Sequence, residues 1–492
     1  MDGAPQTAAQ ALWAGTAIAV DPVVAARVLR AALADGGEYA DLFFEHRRSL
    51  QITLEDGRVR SVSAGVDAGV GIRVVQGGAV GFGYAESFEP AVMLAAARTA
   101  AQVARARGAP QRRTGARRKT GSSTAAIART TPTAPEAPAA GIEALRRIDR
   151  AARASDPAIV RVEASLSLSR REILIVSSAG DPVRDVQPLL RLGVAVVAQR
   201  GGRREAGSSG GGGRIELDRF VRSDPAEYGR EAARIAVVNL DARDAPAGSL
   251  PVVLAPGDAG IWLHEAVGHG LEADFVRKRS SSYCDRLGHV VASTRVTLID
   301  DPGVAEGRGS IAVDDEGVVP GAHLLVDRGV LRGLLHDRSS ARAAGLAPTG
   351  SGRRQSFRDL PLPRMTNTWI AAGDDDPADI VRSVRRGIYA ARFSGGQVNI
   401  AAGDFVFALT EGYLIEDGKI TAPLRGVNLI GNGPAALAAV SMVGPDLHMS
   451  EATWTCTKDG QHVPVGVGMP TMKIDALTIG GTVPTATPEA RR

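Results

Sequence analysis

The sequence predicts an α+β protein in which antiparallel sheets dominate. Three observations carry that prediction. Glycine is abundant, at 58 of 492 residues, while aromatics make up only 4%. That balance suits small-residue packing and tight hairpins. Alternating polar and apolar runs are punctuated by Asp-Gly and Gly-Gly pairs, the signature of hairpin turns. In the second half, strand-like runs are interrupted by one clear helical stretch, 378–389. The length exceeds one compact core and suits a few domains of about 100–200 residues each. Hydrophobic residues at 44% and charged residues at 23% lie near globular averages, which excludes a disordered or membrane-embedded chain.

The elements follow in order. Asp21-Pro22 reads as an N-cap with Pro at N1, opening a helix that ends near Gly36-Gly37. Asp56-Gly57 joins strands at 50–54 and 59–62, and Gln76-Gly77-Gly78 joins strands at 70–75 and 79–84. A helix starts near Pro90 and runs to about Arg107. Segment 105–140 differs: Arg105, Arg107, Arg112, Arg113, Arg117, Arg118, Lys119 and Arg129 face one acidic residue, Glu136, among Thr, Ser, Pro and Ala. It reads as a solvated basic linker or insertion rather than a nucleic-acid site. A helix at 142–154 and strands at 160–168, 172–176 and 192–199 then echo the first pattern. Ser208 to Gly213 reads as a Gly-rich loop without the Gly-Lys-Ser/Thr ending of a phosphate loop. A helix at 225–238 follows. Beyond it come a strand at 250–254, Asp258 as an N-cap, and a helix containing His264. Further strands lie at 290–299, 311–313, 324–326, 330–335 and within 397–430.

These shifts divide the chain into an N-terminal α+β domain of hairpins (1–104), the linker or insertion (105–140), a middle α+β domain (141–245), a larger β-rich C-terminal domain (246–481) and a disordered tail (482–492). The net charge of +4 is too balanced for a surface built to bind nucleic acid. Only Cys284 and Cys456 are present, which excludes a disulfide framework and a thiolate-rich metal site. No run of 18 apolar residues suggests a membrane span. The N-terminus has no positive region, and its apolar run at 16–20 is too short for a signal peptide. The expectation is a soluble cytoplasmic protein.

The chemistry concentrates in Leu263-His264-Glu265-Ala266-Val267-Gly268-His269-Gly270-Leu271-Glu272-Ala273-Asp274. Leu263, Val267, Leu271 and Phe275 recur every four residues as a buried stripe, with His264 and Glu265 at its edge. Histidines four apart sit about 40° apart around a helix, but five apart gives about 140°. On an unbroken helix His264 and His269 could not share a metal. Gly268 and Gly270 permit a π-type widening, a bend or helix termination between them. Glu265 would then suit a general base acting on a metal-bound water, since zinc lowers the pKa of such a water towards about 7. The alternative is two ordinary histidines on a partly exposed helix. Third-ligand candidates are Cys456, His448, His462, Glu272 and Asp274. A Cys456 thiolate beside Lys458 would have a lowered pKa.

The segment His264-Glu265-Ala266-Val267-Gly268-His269-Gly270 resembles the active-site motif of the TldD subunit in the TldD/PmbA peptidase family. The similarity extends through Gly69-Val70-Gly71-Ile72-Arg73, the glycines at 210–213, Asp314-Asp315-Glu316-Gly317, Pro363-Arg364-Met365-Thr366-Asn367-Thr368, Gly395-Gly396-Gln397-Val398 and Pro464-Val465-Gly466-Val467-Gly468. The resemblance implies a TldD/PmbA-like fold and a zinc metallopeptidase. It places zinc on His264, His269 and Cys456, and water activation on Glu265. It implies a heterodimer with a TldE (PmbA) sister subunit. It also implies unfolded or flexible peptides as substrates, including leader peptides and small antitoxins. The family usually carries Cys-Gly-Lys where this chain has Cys456-Thr457-Lys458. Lys458 and Gln461 are expected to orient the Cys456 loop, and Arg364 and Asn367 to hold a substrate carbonyl or carboxylate. The rival reading is a non-catalytic peptide-binding subunit, disfavoured by the presence of both histidines, Glu265 and Cys456.

Overall fold

The computed structural model describes residues 17–107 and 137–481 and the short strand Val483–Pro484. Most of the basic segment at 105–140 and of the tail at 482–492 lies outside the described residues. Val483–Pro484 pairs with Pro246 and Ala247, so strand pairing continues two residues into what the sequence assigns to the tail.

One six-stranded antiparallel sheet serves both N-terminal segments. Its strands are β1 (Tyr39–Glu55), β2 (Arg58–Gln76), β3 (Ala79–Ala85), β4 (Ile159–Ser177), β5 (Val183–Arg200) and β6 (Arg203–Gly213), in the order β3-β2-β1-β4-β5-β6. The strands at 50–54, 59–62 and 70–75 expected from the sequence merge into the long β1–β2 hairpin, turning at Asp56 and Gly57, both with positive φ. Each half repeats helix, three strands, helix. The first half carries α1 (Pro22–Leu33) and α2 (Pro90–Arg107); the second carries α3 (Ala137–Ser155) and α4 (Ala226–Leu240). Asp21 caps α1 through its side chain, with Pro22 in the first turn, as its sequence predicts. Each half buries its own apolar cluster, one around Phe44, Ile72 and Met93, the other around Leu166, Leu192 and Phe220.

The glycines at 207–213 form the end of β6 rather than a loop. A Cβ on Gly207 would collide with the backbone of Ala232 and Ala236 in α4, and one on Gly211 with the ring of Tyr228. Glycine here lets a helix lie flush on the strand, so the composition marks close packing and not a turn.

The C-terminal half is built on β7 (Pro246–Leu254), β12 (Arg386–Asn399), β13 (Asp404–Glu416), β15 (Asn428–Asn432) and β19 (Met472–Gly480), with β14 (Lys419–Arg425) alongside. They run β12-β7-β19-β15-β13, and β12 pairs again with β13, so five strands close into a ring. A smaller sheet contains β8 (Leu298–Asp300), β9 (His323–Asp327), β10 (Val330–Leu331), β11 (Asn367–Ile370) and β18 (Gly466–Met469). One apolar cluster joins the two, with Trp262, Leu263, Val267 and Leu271 at its centre. Among the expected strands, 290–299 shrinks to β8, and 311–313 is irregular. The helix expected at 378–389 stops early: Asp376 and Pro377 start Pro377–Arg382, and 386 onward belongs to β12. There Ile388 and Ala390 are buried in parallel pairing with β7, so the burial of those apolar residues is paired as strand rather than helix.

The two halves meet through 314–358. Arg73 donates to Asp41 and to Glu316, both at 2.5 Å. Phe357 packs with Phe43, Ile173 and Ile175.

Candidate metal centre

The helix bearing His264 is short. α5 spans Gly260–Ala266, and Val267 leaves helical geometry at φ −127°, ψ −54°. A 3₁₀ turn, Gly268–Leu271, follows, and Glu272 is extended before α6 (Ala273–Arg277). Termination is thus the outcome among the three that the glycines allow. A Cβ on Gly268 would collide with Sδ of Met365, and one on Gly270 would sit 2.7 Å from Cδ2 of Tyr283. With Met365 and Tyr283 where they stand, the break leaves no room for side chains at these two positions. The break swings His269 back towards His264, leaving their ring centroids 5.1 Å apart at 82°. Asp258 is not the cap: position Ala259 starts the helix without a side-chain hydrogen bond, and Ser450 Oγ donates to Asp258 at 2.6 Å.

Cys456 arrives from a hairpin of β16 (Thr455–Lys458) and β17 (Gln461–Pro464). Its Sγ lies 3.3 Å from His269 Nε2. The potential donor atoms of His264, His269 and Cys456 all fall within 4.8 Å of one another, and all three side chains are buried. Both ring nitrogens of His264 are buried without a hydrogen-bond partner. Unpartnered buried nitrogens are costly: the N–H lacks an acceptor, and the other nitrogen's lone pair calls for a Lewis acid. Two imidazoles and a thiolate suit a borderline divalent ion such as zinc, with coordination positions left over. The residues therefore fit a metal.

The surroundings prepare these donors. Glu272 Oε2 lies 3.0 Å from His269 Nδ1, which directs the other ring nitrogen at the cluster. Lys458 Nζ donates to Glu272 at 3.0 Å, to Asp274 at 2.7 Å and to the Pro363 carbonyl at 3.0 Å. Burial pushes the Cys456 thiol up, but the adjacent His269 and His264 outweigh it and hold it well below the usual thiol range. Burial also opposes the Glu272 carboxylate, yet His269 and Lys458 hold it down to about 2. The thiolate is the ligating form of cysteine.

Other sequence-picked residues take different places. Glu265 is part-exposed, with Oε2 3.6 Å from His269 Nε2. With His269 it lines a cavity of about 730 Å³, walled by residues 395–398 and by Trp454, Thr455, Thr457, Lys458 and Asp459 around β16. Lys458 lies in reach of Glu272 and Asp274, and the groups acting on Cys456 are the histidines, a correction to the expected thiolate–lysine pair. Arg364 is fully buried; it donates to the Cys456 carbonyl at 2.7 Å and the Gln461 carbonyl at 3.4 Å. Gln461 donates to the Leu360 carbonyl at 2.9 Å and accepts from Gln355 N–H at 3.1 Å. Asn367 is likewise buried, bonded to Gly309, Asp301 and Ser310. The expected substrate contacts of Arg364 and Asn367 are thus replaced by contacts that hold the chain itself. His448 packs at Gly257, and exposed His462 pairs with Thr457 at 2.8 Å, so neither joins the cluster. Cys284 stays apart, its Sγ 3.6 Å from the Val276 carbonyl. Glu272 and Asp274, candidates for ligation in the sequence, stand outside the cluster: Glu272 contacts His269, and Asp274 contacts Lys458. The i,i+3 spacing of His269 and Glu272 was the signal for that role.

Replacing Lys458 by Met should cost about 3–5 kcal/mol of stability, because two buried carboxylates lose their cation. Metal affinity should fall about 10–100-fold through loosened Glu272. Denaturant melts and metal titration of the variant measure both effects.

A buried His, His, Cys donor set with an acidic side chain at an adjoining cavity is of the metallohydrolase kind. The chain belongs to the PmbA/TldA metallopeptidase family: its domain 1 matches residues 40–104, its central domain 132–240 and its C-terminal domain 247–481. It is 42% identical over 450 residues to the metalloprotease TldD homolog of Haemophilus influenzae, covering 90% of this chain and 93% of that protein. It is 36% identical over 238 residues to the zinc metalloprotease TldD homolog of Saccharolobus solfataricus, 48% of this chain and 53% of that protein. The crystal structure of TldE from Thermococcus kodakarensis shares the fold, with a TM-score of 0.75 at 18% identity over 93% of this chain and all of that one. Among the described residues, no helix is long and apolar enough to cross a membrane.

Proposed function

We propose that this chain is a zinc-dependent peptidase that hydrolyses unfolded or flexible peptides, working with a TldE-like sister subunit in the cytoplasm. The observation that carries this reading is the buried His264, His269 and Cys456 cluster with Glu265 beside it at the cavity. The zinc name of the Saccharolobus relative and the fold shared with TldE support the metal and the partner.

His264, His269 and Cys456 would hold the ion. Bound zinc supplies a Lewis acid that polarises a carbonyl and acidifies water. Glu265 takes the proton of the attacking water and returns it to the leaving amine. Glu272 keeps His269 in the required tautomer, and Lys458 keeps Glu272 charged. Access to Glu265 through this cavity would favour flexible substrates.

Purified protein should carry about one zinc per chain and cut an unfolded peptide, faster with the sister subunit added. A folded protein without stoichiometric metal would favour the non-catalytic peptide-binding subunit instead. Stoichiometric zinc with no cleavage, partner present, would overturn the peptidase reading.

A further inference from the structure

A second cavity lies behind the β16–β17 hairpin, between it and the N-terminal sheet, with a volume of about 190 Å³. Six arginines line it, Arg47, Arg171, Arg214, Arg308, Arg353 and Arg354, against one lining carboxylate, Asp315. Three of the six are paired. Arg47 meets Glu45 at 2.6 Å, Arg171 meets Asp315 at 3.1 Å and Glu45 at 3.3 Å, and Arg354 meets Asp41 at 3.5 Å.

Arg214, Arg308 and Arg353 make no ion pair among the described residues. Their donors reach neutral acceptors only. Arg214 Nε donates to the Ser310 carbonyl at 3.0 Å. Arg308 donates to the Trp454 carbonyl at 2.8 Å and to Thr455 Oγ1 at 3.4 Å. Arg353 donates to the Met365 and Pro464 carbonyls at 2.6 and 2.8 Å. Arg308 and Arg353 are 7% and 3% exposed, and Arg308 Nη1 is buried with no partner at all. Asp185 acts on Arg214, and Asp315, then Asp300 and Cys456, on Arg353, without any of them forming an ion pair with it. Burial, with neighbouring arginines adding to it, pulls Arg214 down to about 9 and Arg308 to about 10. Both keep their charge at neutral pH.

Buried like charges without a counterion are costly. Guanidinium forks match carboxylate and phosphate oxygens, and the cavity falls below the about 300 Å³ at which drug-sized ligand sites begin. We propose that this cavity is a binding site for a small oxyanion, a carboxylate or phosphate group, held by Arg214, Arg308 and Arg353. The bound anion would also brace the metal centre. Arg308 grips the start of the Cys456 hairpin at Trp454 and Thr455, and Arg353 grips its end at Pro464. An anion that orients both guanidinium groups fixes both ends of the strand pair that presents Cys456. The site stands independently of the peptidase reading.

Calorimetric titration of the full wild-type chain with inorganic phosphate, and separately with acetate, at ionic strength balanced by chloride tests the site. Saturable uptake of one oxyanion per chain is expected. R214Q and R308Q should each weaken it at least tenfold, R308K less, and the remote surface variant R60Q not at all. No saturable uptake of either anion by the folded wild type overturns the proposal, whatever the variants do. So does phosphate affinity unchanged in R214Q and R308Q. A peptide with a free C-terminal carboxylate that displaces phosphate, where its amide does not, would support the site and assign a peptide as the source. Phosphate binding that both peptides leave intact would support it as a site for free anion.

Discussion

Replacing Glu265 by Gln should lower peptide cleavage about a thousandfold and leave the metal in place. A positioned general base contributes about 10²–10⁴-fold, or about 3–5 kcal/mol in the barrier. Gln keeps the size of the side chain but cannot accept the proton of water. Retention of the ion follows from the geometry. The three-residue donor cluster does not include Glu265, which sits part-exposed on the cavity side of His269. Metal analysis beside a peptide digest separates the two effects. Wild-type cleavage by E265Q would remove Glu265 from the mechanism. Loss of the ion in step with activity would make Glu265 a ligand.

Much of this site is legible in the sequence. The pairing of His264 and His269 rested on two glycines, and the reason is steric. Glycine passes close to Met365 and Tyr283 where a Cβ would crowd them, which fits Gly-His-Gly in that stripe to a broken helix. The third member of the cluster was not legible from spacing. Cys456 comes from a hairpin nearly two hundred positions away, and local pattern carries no information on which hairpin docks at α5. The family resemblance named it instead. Lys458 departs from its expected place for a related reason. Proximity in sequence put its charge beside the thiol, but a long side chain on the same strand face carries the ammonium to Glu272 and Asp274. Arg364 and Asn367 mislead in the same way: Arg forks suit carboxylates, yet here the fork closes on two backbone carbonyls of the Cys456 hairpin.

The fold shows the same division. Hairpins with Asp-Gly turns were readable because the turn chemistry is local. The strand of glycines at the end of β6 was not, because its cause is a helix packed from elsewhere in the chain. The helix ending at Arg382 follows the same rule. Its start is set locally by Asp376 and Pro377, while its end is set by pairing of β12 with β7.

Replacing Cys456 by Ser should abolish stoichiometric zinc and, with it, cleavage. A serine hydroxyl is not ionised at neutral pH and is a poor ligand for a borderline metal. Loss of an outer-shell partner alone weakens metal binding about 10–100-fold, so loss of a direct donor should exceed about a hundredfold. The hairpin itself should survive. Arg364 and Lys458 hold it through the Cys456 carbonyl and the carboxylates of Glu272 and Asp274, none of which uses the sulfur. The matched variant C284S should keep its metal, since that thiol lies against the Val276 carbonyl away from the cluster. Zinc content of both variants, with the thiolate-to-metal absorption of cobalt-loaded protein, measures the result. If C456S still binds one equivalent tightly, the third donor is another group. Glu272 would then be the first to test, because it already touches His269 and is held as a carboxylate.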